Sequence, residues 1–452
     1  MILSRRRLLE TSGLGVGSLA LRSLLAAEKP RGPARAMIQF VMNGGPAQMD
    51  LFDPKPELAR RAGQPHPDGV EIHQPNNANT LLPSPMQFRK QGQSGIEIAE
   101  CLPHLAAIAD QICLVRSMYS EHNNHPEALN QLLTCKIFPG RPVLGSWISY
   151  ALGSENQDLP AFVVLRDPEG YPVSSKQLWS SGWLPALHQG VEFSSKGAPV
   201  QNLSPAAPLP PGVQREQLRF LDSLNRRHLA SHEGESELEA RIRNYELAAR
   251  MQVAAMDVLD LSRESEITRK AYGLDNADMA TFAVRCLMAR RLVESGVRFV
   301  QVFCGPGQPW DHHSRIKQDL PKICNKTDQP VVAMVKDLES RGLLDSTIVL
   351  WSGEFGRLPT SQNSDGRDHN RNAFSLWLAG GGFRKGLAYG ETDDFGYKAV
   401  VNRVGTPDLQ ATILRQFGID HTRLTYRNAG RDETPTDATV TGAKPVLALV
   451  KA

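Results

Sequence analysis

The sequence predicts an α/β fold whose central sheet is mainly parallel and covered by helices on both faces. Short apolar runs of strand length recur along the chain, and segments with the apolar spacing of helices separate them. Clusters of polar and charged residues directly follow several of these runs, as is typical of ligand sites at the carboxyl ends of parallel strands. The candidate strands are residues 36–42, 111–118, 161–165, 297–304, 347–351 and 374–379.

In the first half of the chain, residues 36–42 (AMIQFVM) end at Asn43-Gly44-Gly45-Pro46, which is typical of a strand that enters a tight turn. Residues 53–95 are rich in Pro, Asn, Gln and Gly, so we expect a long irregular segment. A helix over 103–109 precedes the strand 111–118, and Pro126 fits the first turn of a helix that continues to 133. After the strand 161–165 comes a Ser/Gly/Pro-rich stretch that reaches about residue 211.

In the second half, residues 214–271 contain mainly Arg, Glu, Leu and Ala with few breakers, which predicts two or three long helices. We expect these helices to form an insertion over about 213–272 in a single domain that spans 36–450. A helix that ends at Gly296 precedes the strand 297–304. Further helices are expected over 330–341 and 407–417.

Composition excludes one broad class of function. The chain has 51 basic and 48 acidic residues, a formal net charge of +3, and its arginines are dispersed. A nucleic-acid-binding protein would concentrate basic residues on one face, so no nucleic-acid partner is expected.

The six cysteines show no Cys-x-x-Cys spacing, which argues against a zinc ribbon or a thioredoxin-like motif.

The N-terminus has the pattern of a targeting segment. Residues 4–9 (SRRRLL) resemble the twin-arginine export signal, and residues 11–27 are mildly apolar. This stretch is too short and too interrupted to span a bilayer securely. We therefore expect a signal peptide over 1–27, no stable membrane span, and a mature protein in the periplasm or outside the cell. A basic amphipathic start is the alternative.

Three short clusters carry candidate metal ligands: residues 310–313 (WDHH), 352–357 (SGEFGR) and 366–369 (GRDH). Histidine is scarce, with 12 in 452 residues, yet three histidines lie beside carboxylates in two of these clusters. Imidazoles and carboxylates that converge from several loops are what a divalent cation needs. For any one cluster, solvated surface charge is the alternative interpretation. Together, the clusters predict a metal site.

Residues 41–56 (VMNGGPAQMDLFDPKP), taken with the three clusters, resemble the DUF1501 family, which belongs with the sulfatase-like proteins of the alkaline phosphatase superfamily. The resemblance covers nearly all of the chain after the signal. It implies an alkaline-phosphatase-like three-layer α/β/α fold and descent from metal-dependent hydrolases. It does not imply a particular substrate.

The resemblance also implies a set of metal ligands. Asp311 and His313 resemble the first acidic-histidine pair of the superfamily, although their spacing is only Asp-x-His. Glu354 occupies the later acidic position. His369 resembles the final histidine ligand, with Asp368 beside it.

Two positions depart from the superfamily pattern. Phe355 replaces a histidine ligand, and Asn43 replaces the first-strand aspartate, whose carboxylate binds a hard cation more strongly than an amide does. Asp50 is a candidate to compensate. Two histidines with carboxylates suit zinc or manganese, and calcium is the alternative if a histidine is not a ligand.

The nucleophile position is altered as well. Residues 132–135 (LLTC) resemble the end of the helix that follows the sulfatase nucleophile, and counting back nine residues from Thr134 reaches His125. His125 is thus a candidate nucleophile, metal ligand or general acid, or simply a histidine that caps a helix. Ser117, Ser120 and Thr134 are alternative nucleophiles.

The arginine of the sulfatase signature is absent, and Leu129 stands in its place. Arg116 and Arg357 are the candidates to supply its positive charge. The expected function is an exported metal-dependent hydrolase of sulfate or phosphate esters, with a small-molecule or carbohydrate substrate. A phosphatase or phosphodiesterase is one alternative. A non-catalytic binding or structural protein on a degenerate sulfatase-like fold is the other.

Overall fold

The structure, a computed structural model, describes residues 32–197, 210, 212–232 and 236–451. The expected signal peptide lies outside the described residues and stays a prediction. The helices are α1 (Gln48–Leu51), α2 (Pro56–Arg60), α3 (Pro103–Ala106), α4 (His125–Thr134), α5 (Leu144–Leu152), α6 (Val213–Ala230), α7 (Ser236–Leu259), α8 (Glu266–Tyr272), α9 (Ala280–Glu294), α10 (Ile316–Ser340), α11 (Thr406–Gln416) and α12 (Ala438–Thr441).

Within the described residues, the strands form one large sheet and four small ones. They are β1 (Ala36–Val41), β2 (Asn77–Leu81), β3 (Phe88–Gln91), β4 (Ile96–Ala99), β5 (Ile112–Tyr119), β6 (Phe162–Leu165), β7 (Val191–Glu192), β8 (Phe299–Phe303), β9 (Thr347–Ser352), β10 (Gly356–Gln362), β11 (Gly366–Asn370), β12 (Phe374–Ala379), β13 (Leu387–Tyr389), β14 (Glu391–Thr392), β15 (Ala399–Val401), β16 (Val404–Gly405), β17 (Tyr426–Asn428) and β18 (Arg431–Glu433).

The large sheet has the order β13-β5-β12-β9-β1-β8-β6-β7, and β16 also pairs with β5. Only β12 runs antiparallel to its neighbours β5 and β9 within this described sheet. The mainly parallel α/β sheet is therefore confirmed.

The central strands are buried on both faces because their residues alternate between two hydrophobic clusters. In β1, Ile38 and Phe40 pack into the cluster that includes α9 and α10, whereas Met37 and Val41 pack into the cluster that includes α4, α5 and α11. Burial of each such side chain stabilises the fold by roughly 1.5–3 kcal/mol. Helices thus cover both faces, which gives the predicted three layers.

The predicted strands are present with shifts of one or two residues at their ends, and α6, α7 and α8 lie where two or three long helices were expected. The division into one domain with an insertion stays a prediction. Two expectations were wrong in part. Residues 53–95 include α2, β2 and β3, and the helix expected over 330–341 begins at Ile316, since the chain accommodates Pro321 and Pro330 within it.

None of the described helices combines the length and the apolar character that crossing a membrane requires.

All six cysteines are unpaired. Five of them are buried, and burial raises the pKa of Cys304 to about 11. These cysteines therefore fill space in the core.

Candidate metal centre

Three adjacent parallel strands bring polar residues to one edge of the large sheet. The last residue of β1 lies opposite the last residues of β8 and β9, so the three strands end at the same level. Asn43 follows β1, Asp311 lies in the segment after β8, and Glu354 follows β9. This arrangement agrees with the one expected from the sequence.

Three histidines reach the same place from other segments. His125 is the first residue of α4, after Asn124 in extended conformation. His369 lies in β11, opposite Arg357 of β10 in an antiparallel pair. His313 lies in the segment between β8 and α10. The candidate ligands were expected to converge from loops, but residues 366–369 instead form part of a buried strand.

The Asp311 carboxylate is the centre of the cluster. Its Oδ1 lies 2.9 Å from His313 Nε2 and 3.3 Å from His369 Nε2. Its Oδ2 lies 3.3 Å from His125 Nε2, without the alignment of a hydrogen bond. The Nε2 atoms of His313 and His369 are 3.1 Å apart. Potential ligand atoms of His125, Asp311 and His369 all lie within 4.8 Å of one another, as a shared cation would require.

Each histidine is oriented by an oxygen that contacts its Nδ1. His125 Nδ1 is 2.6 Å from Glu354 Oε1, His313 Nδ1 is 2.5 Å from Gln362 Oε1, and His369 Nδ1 is 2.7 Å from the carbonyl oxygen of Asn123. A carbonyl oxygen can only accept, so Nδ1 of His369 carries the hydrogen, and we assign the same tautomer to the other two rings. This tautomer leaves the Nε2 lone pairs directed toward Asp311, as in histidines that bind metals.

Arg357 fixes Asp311 from the other side. Its guanidinium donates to Asp311 Oδ1 at 2.5 Å, to the Gly45 carbonyl at 2.8 Å, to the Arg367 carbonyl at 3.1 Å and to the Gly44 carbonyl. Since the side chain is buried and all of these contacts are within the protein, Arg357 is committed to holding the site together.

The charges of the site keep Asp311 ionised. Burial opposes ionisation of Asp311, but the pKa of its carboxyl lies well below the usual range, chiefly because of the adjacent Arg357 guanidinium. Burial is also the main reason that the pKa of His369 falls to about 3, so this ring is neutral at pH 7. Burial lowers the pKa of His125 as well, but Asp311 and Glu354 reverse that effect and raise it above its usual value.

Three predicted residues lie outside the cluster. Asp50 forms a buried two-oxygen ion pair with Arg367, at 2.7 and 3.0 Å. Asp368 accepts hydrogen bonds only from backbone N–H groups, among the contacts described for it. Arg116 donates to the carbonyl of Gly390 and lies 3.9 Å from Asp53.

The alternative nucleophiles are also engaged elsewhere. Ser117 Oγ donates to the carbonyl of Asn402 at 2.6 Å, and Ser120 Oγ donates to Gln131 Oε1 at 2.8 Å. Thr134 Oγ1 donates to the carbonyl of Asn130 at 2.7 Å. These hydroxyls therefore stabilise the ends of β5 and α4.

Two further oxygen atoms at the site have no hydrogen-bond partner among the described residues. They are Asn43 Oδ1 and Glu354 Oε2, and both are buried. The Asn43 amide nitrogen donates to the carbonyls of Gly305 and Gly307, which turns the amide oxygen away from them. Unpartnered buried oxygens beside a histidine-carboxylate cluster fit a cation or its bound water.

Three contributors to the site were not identified from the sequence. Gln362 and Asn123 orient histidines, and the His73 ring stacks on His369 with centroids 5.1 Å apart. A backbone carbonyl such as that of Asn123 has no sequence signature. His73 could have been noticed only as an isolated histidine in a polar segment.

The sequence model of the family described as "Protein of unknown function (DUF1501)" matches residues 34–449. The chain belongs to the DUF1501 family. No curated protein matches this DUF1501 sequence significantly.

Several solved structures align with this DUF1501 chain at low similarity. The PsFucS1 sulfatase from Pseudoalteromonas sp. is 12% identical, with 93% of this chain and 72% of that chain covered and a TM-score of 0.36. The lipoteichoic acid synthase LtaP from Listeria monocytogenes is 10% identical, with 86% and 72% covered and a TM-score of 0.36. The phosphonate monoester hydrolase SpPMH from Silicibacter pomeroyi is 12% identical, with 76% and 72% covered and a TM-score of 0.31. At these TM-scores the alignments say nothing about substrate or mechanism.

Proposed function

We propose that this protein is a metal-dependent hydrolase of sulfate or phosphate esters, exported by a twin-arginine-type signal. The observation that carries the proposal is the convergence of three imidazole Nε2 atoms on the Asp311 carboxylate, with an oxygen atom against each Nδ1. Three histidines and one carboxylate are a ligand set of the type that zinc uses in hydrolases, and manganese accepts the same donors.

In this proposal His125, His313, His369 and Asp311 hold the cation, which when bound would act as a Lewis acid on the ester and lower the pKa of water. Glu354 orients His125, and Arg357 holds Asp311 in its ionised form. Asn43 Oδ1 and Glu354 Oε2 are the free acceptors that could orient a water molecule.

The contacts of His125 favour the role of ligand over that of nucleophile. Its Nδ1 lies against Glu354, and its Nε2 points at the same Asp311 carboxylate that His313 and His369 face, which is the arrangement of a shared ligand set. Since Ser117, Ser120 and Thr134 are engaged elsewhere, water is the proposed nucleophile. Of the roles that the sequence left open for His125, the proposal therefore takes that of a metal ligand rather than that of a catalytic group.

The second candidate is a non-catalytic binding protein that retains the cation. Its support is that the described hydrogen bonds of Arg357 all go to protein oxygens. Among the described residues, the site therefore has no arginine left to bind the anionic group of a substrate. Arg116 does not supply one, because it lies beside Asp53.

Elemental analysis and a substrate panel test the proposal. Purified protein reloaded with zinc or manganese should retain about one ion per chain, and His313→Ala and His369→Ala should each lose it. The matched control is His421→Ala, which removes another buried histidine whose Nδ1 contacts Thr436 instead.

The loaded protein is then assayed with aryl sulfates, phosphomonoesters and phosphodiesters. Turnover that disappears in His369→Ala and persists in His421→Ala supports the hydrolase. Metal retention without any turnover favours the binding protein, and a chain that retains no metal contradicts both candidates.

A further inference from the structure

A loop from the polar segment expected to be irregular is fastened beside the metal centre. Residues 64–81 close on themselves, because Gly63 N–H donates to the Leu81 carbonyl at 3.0 Å and Leu81 N–H donates to the Gln64 carbonyl at 2.8 Å. The last part of this 64–81 loop is β2, which pairs with β10 of the hairpin that carries His369. The loop is therefore an ordered part of the fold.

Two side chains fasten the tip of the loop to the site. Asp368 Oδ2 accepts the backbone N–H groups of His73 and Gln74, each at 2.8 Å. Gln362 donates to the Pro75 carbonyl at 3.0 Å while its Oε1 contacts His313 Nδ1. The same residue thus orients a candidate ligand and holds the loop.

This attachment explains why Asp368 is buried next to His369 without joining the ligand cluster. Its Oδ1 accepts the N–H of His369 at 2.8 Å, so three backbone N–H groups donate to this carboxylate. These hydrogen bonds offset the free-energy cost of removing the carboxylate from water. Asp368 connects the loop to the strand that carries a candidate metal ligand.

The position of His73 is the consequence of these contacts. Its ring stacks on the ring of His369, with centroids 5.1 Å apart and planes inclined by 24°. His73 is half-buried, so part of the residue is open to solvent. The neighbouring Glu71 pairs with Arg371 at 3.0 Å, which neutralises the charge at this side of the loop.

We infer that His73 lines the substrate pocket and contacts the organic part of an ester whose alcohol carries a ring, either aromatic or a sugar. A flat ring beside the metal centre offers a stacking surface to another ring, and such contacts contribute about 0.5–1.5 kcal/mol beyond area burial. Asp368 and Gln362 are positioning residues for His73. This inference rests on the proposed function, since it assumes that the ester's anionic group binds at the metal centre.

Binding of two anions to the zinc-loaded protein, measured by calorimetry, tests the inference. Inorganic phosphate reports the metal centre alone, whereas phenyl phosphate adds a ring. His73→Ala should weaken phenyl phosphate binding by roughly 3- to 10-fold and leave inorganic phosphate within about 2-fold. His73→Phe should restore phenyl phosphate binding, because it keeps a ring without the imidazole nitrogens.

Two further variants separate the contact from general disturbance of the loop. Ile72→Ala truncates the adjacent side chain, which is 47% exposed, and should bind both anions like the wild type. Asp368→Asn should reproduce the selective loss of phenyl phosphate and speed amide hydrogen exchange in residues 70–76. Asp365→Asn, in the turn of the same hairpin, is its control.

Equal binding of phenyl phosphate by the wild type and His73→Ala would overturn the inference while leaving the proposed function intact. An equal loss of both anions in His73→Ala would also overturn it. If the zinc-loaded wild type binds neither anion, the proposed function fails and the inference fails with it. Unchanged hydrogen exchange in Asp368→Asn would contradict the positioning role by itself.

Discussion

Replacement of Glu354 by glutamine should weaken metal binding without removing a ligand. Glu354 Oε1 lies 2.6 Å from His125 Nδ1 and accepts the Gly44 N–H at 2.9 Å, and the side chain is 1% exposed. Glutamine preserves the shape but exchanges a charged hydrogen-bond acceptor for a neutral one. Hydrogen bonds to charged groups stabilise by about 1.5–3 kcal/mol and neutral ones by about 0.5–1.5 kcal/mol.

The difference, about 1–1.5 kcal/mol, corresponds to a zinc Kd that rises by roughly 5- to 13-fold. Loss of the negative charge next to the cation adds to this effect, and groups that orient metal-bound histidines typically contribute about 10- to 100-fold to affinity. We therefore expect the Kd of Glu354→Gln to rise by at least 5-fold and at most about 100-fold.

Competition with a chromophoric chelator at fixed pH measures the Kd, and circular dichroism checks that the variant is folded. Glu433→Gln is the matched control, since Glu433 is also a largely buried carboxylate but pairs with Arg141, at 2.7 Å. A folded Glu354→Gln variant that binds zinc as tightly as the wild type would refute the orienting role of Glu354. Equal weakening in Glu433→Gln would point to a non-specific effect.

Three further predictions follow from buried charges. Arg357→Lys should weaken zinc binding by about 10-fold or more, because lysine cannot hold Asp311 and several carbonyls together; chelator competition measures it. Asp50→Ala should lower the free energy of unfolding by about 3–5 kcal/mol in urea titration, because Arg367 stays buried without its partner. Burial raises the pKa of Asp328 to about 7 from 3.8, so the folded chain binds that proton more tightly than the unfolded chain. The free energy of unfolding should thus fall as the pH rises from about 4 to about 7, by up to about 4 kcal/mol. Urea titrations at several pH values measure this fall, and the free energy of unfolding of Asp328→Asn should change less with pH over the same range.

Much of the sheet could be predicted because its central strands are buried on both faces. Runs such as 36–42 and 347–351 are almost continuously apolar, which distinguishes them from strands with one solvated face. The order of the strands then places residues that follow them at one edge. Asn43, Asp311 and Glu354 were located correctly for this reason.

The hairpin that carries His369 could not be predicted from apolar periodicity. Its second strand, Gly366–Asn370, consists of glycine and polar residues, yet every residue in it is buried. Burial is possible because Asp50, far away in sequence, neutralises Arg367, and because Asp368 receives backbone N–H groups. These partners come from tertiary structure, so the sequence pattern resembles that of a loop.

The roles of the carboxylates were equally hidden in the sequence. A glutamate that orients a histidine and one that binds a cation have the same residue type and the same position after a strand. Only the 2.6 Å contact between Glu354 Oε1 and His125 Nδ1 favours the orienting role. Likewise, Asp50 and Asp311 each pair with a buried arginine, and the three imidazoles around Asp311 mark it as the candidate ligand.

Phe355 supports a single cation in the proposed metal centre. Its ring packs against His125 and His369, with centroids 4.8 and 4.6 Å apart, and so fills the space beside both imidazoles. A Cβ on Gly45 would come within 2.7 Å of this ring, so the β1 turn is fitted closely to it. An apolar ring in that place offers no donor to a second ion. The unpartnered Glu354 Oε2 and Asn43 Oδ1 are therefore more consistent with an ordered water molecule near one cation than with a second ligand set.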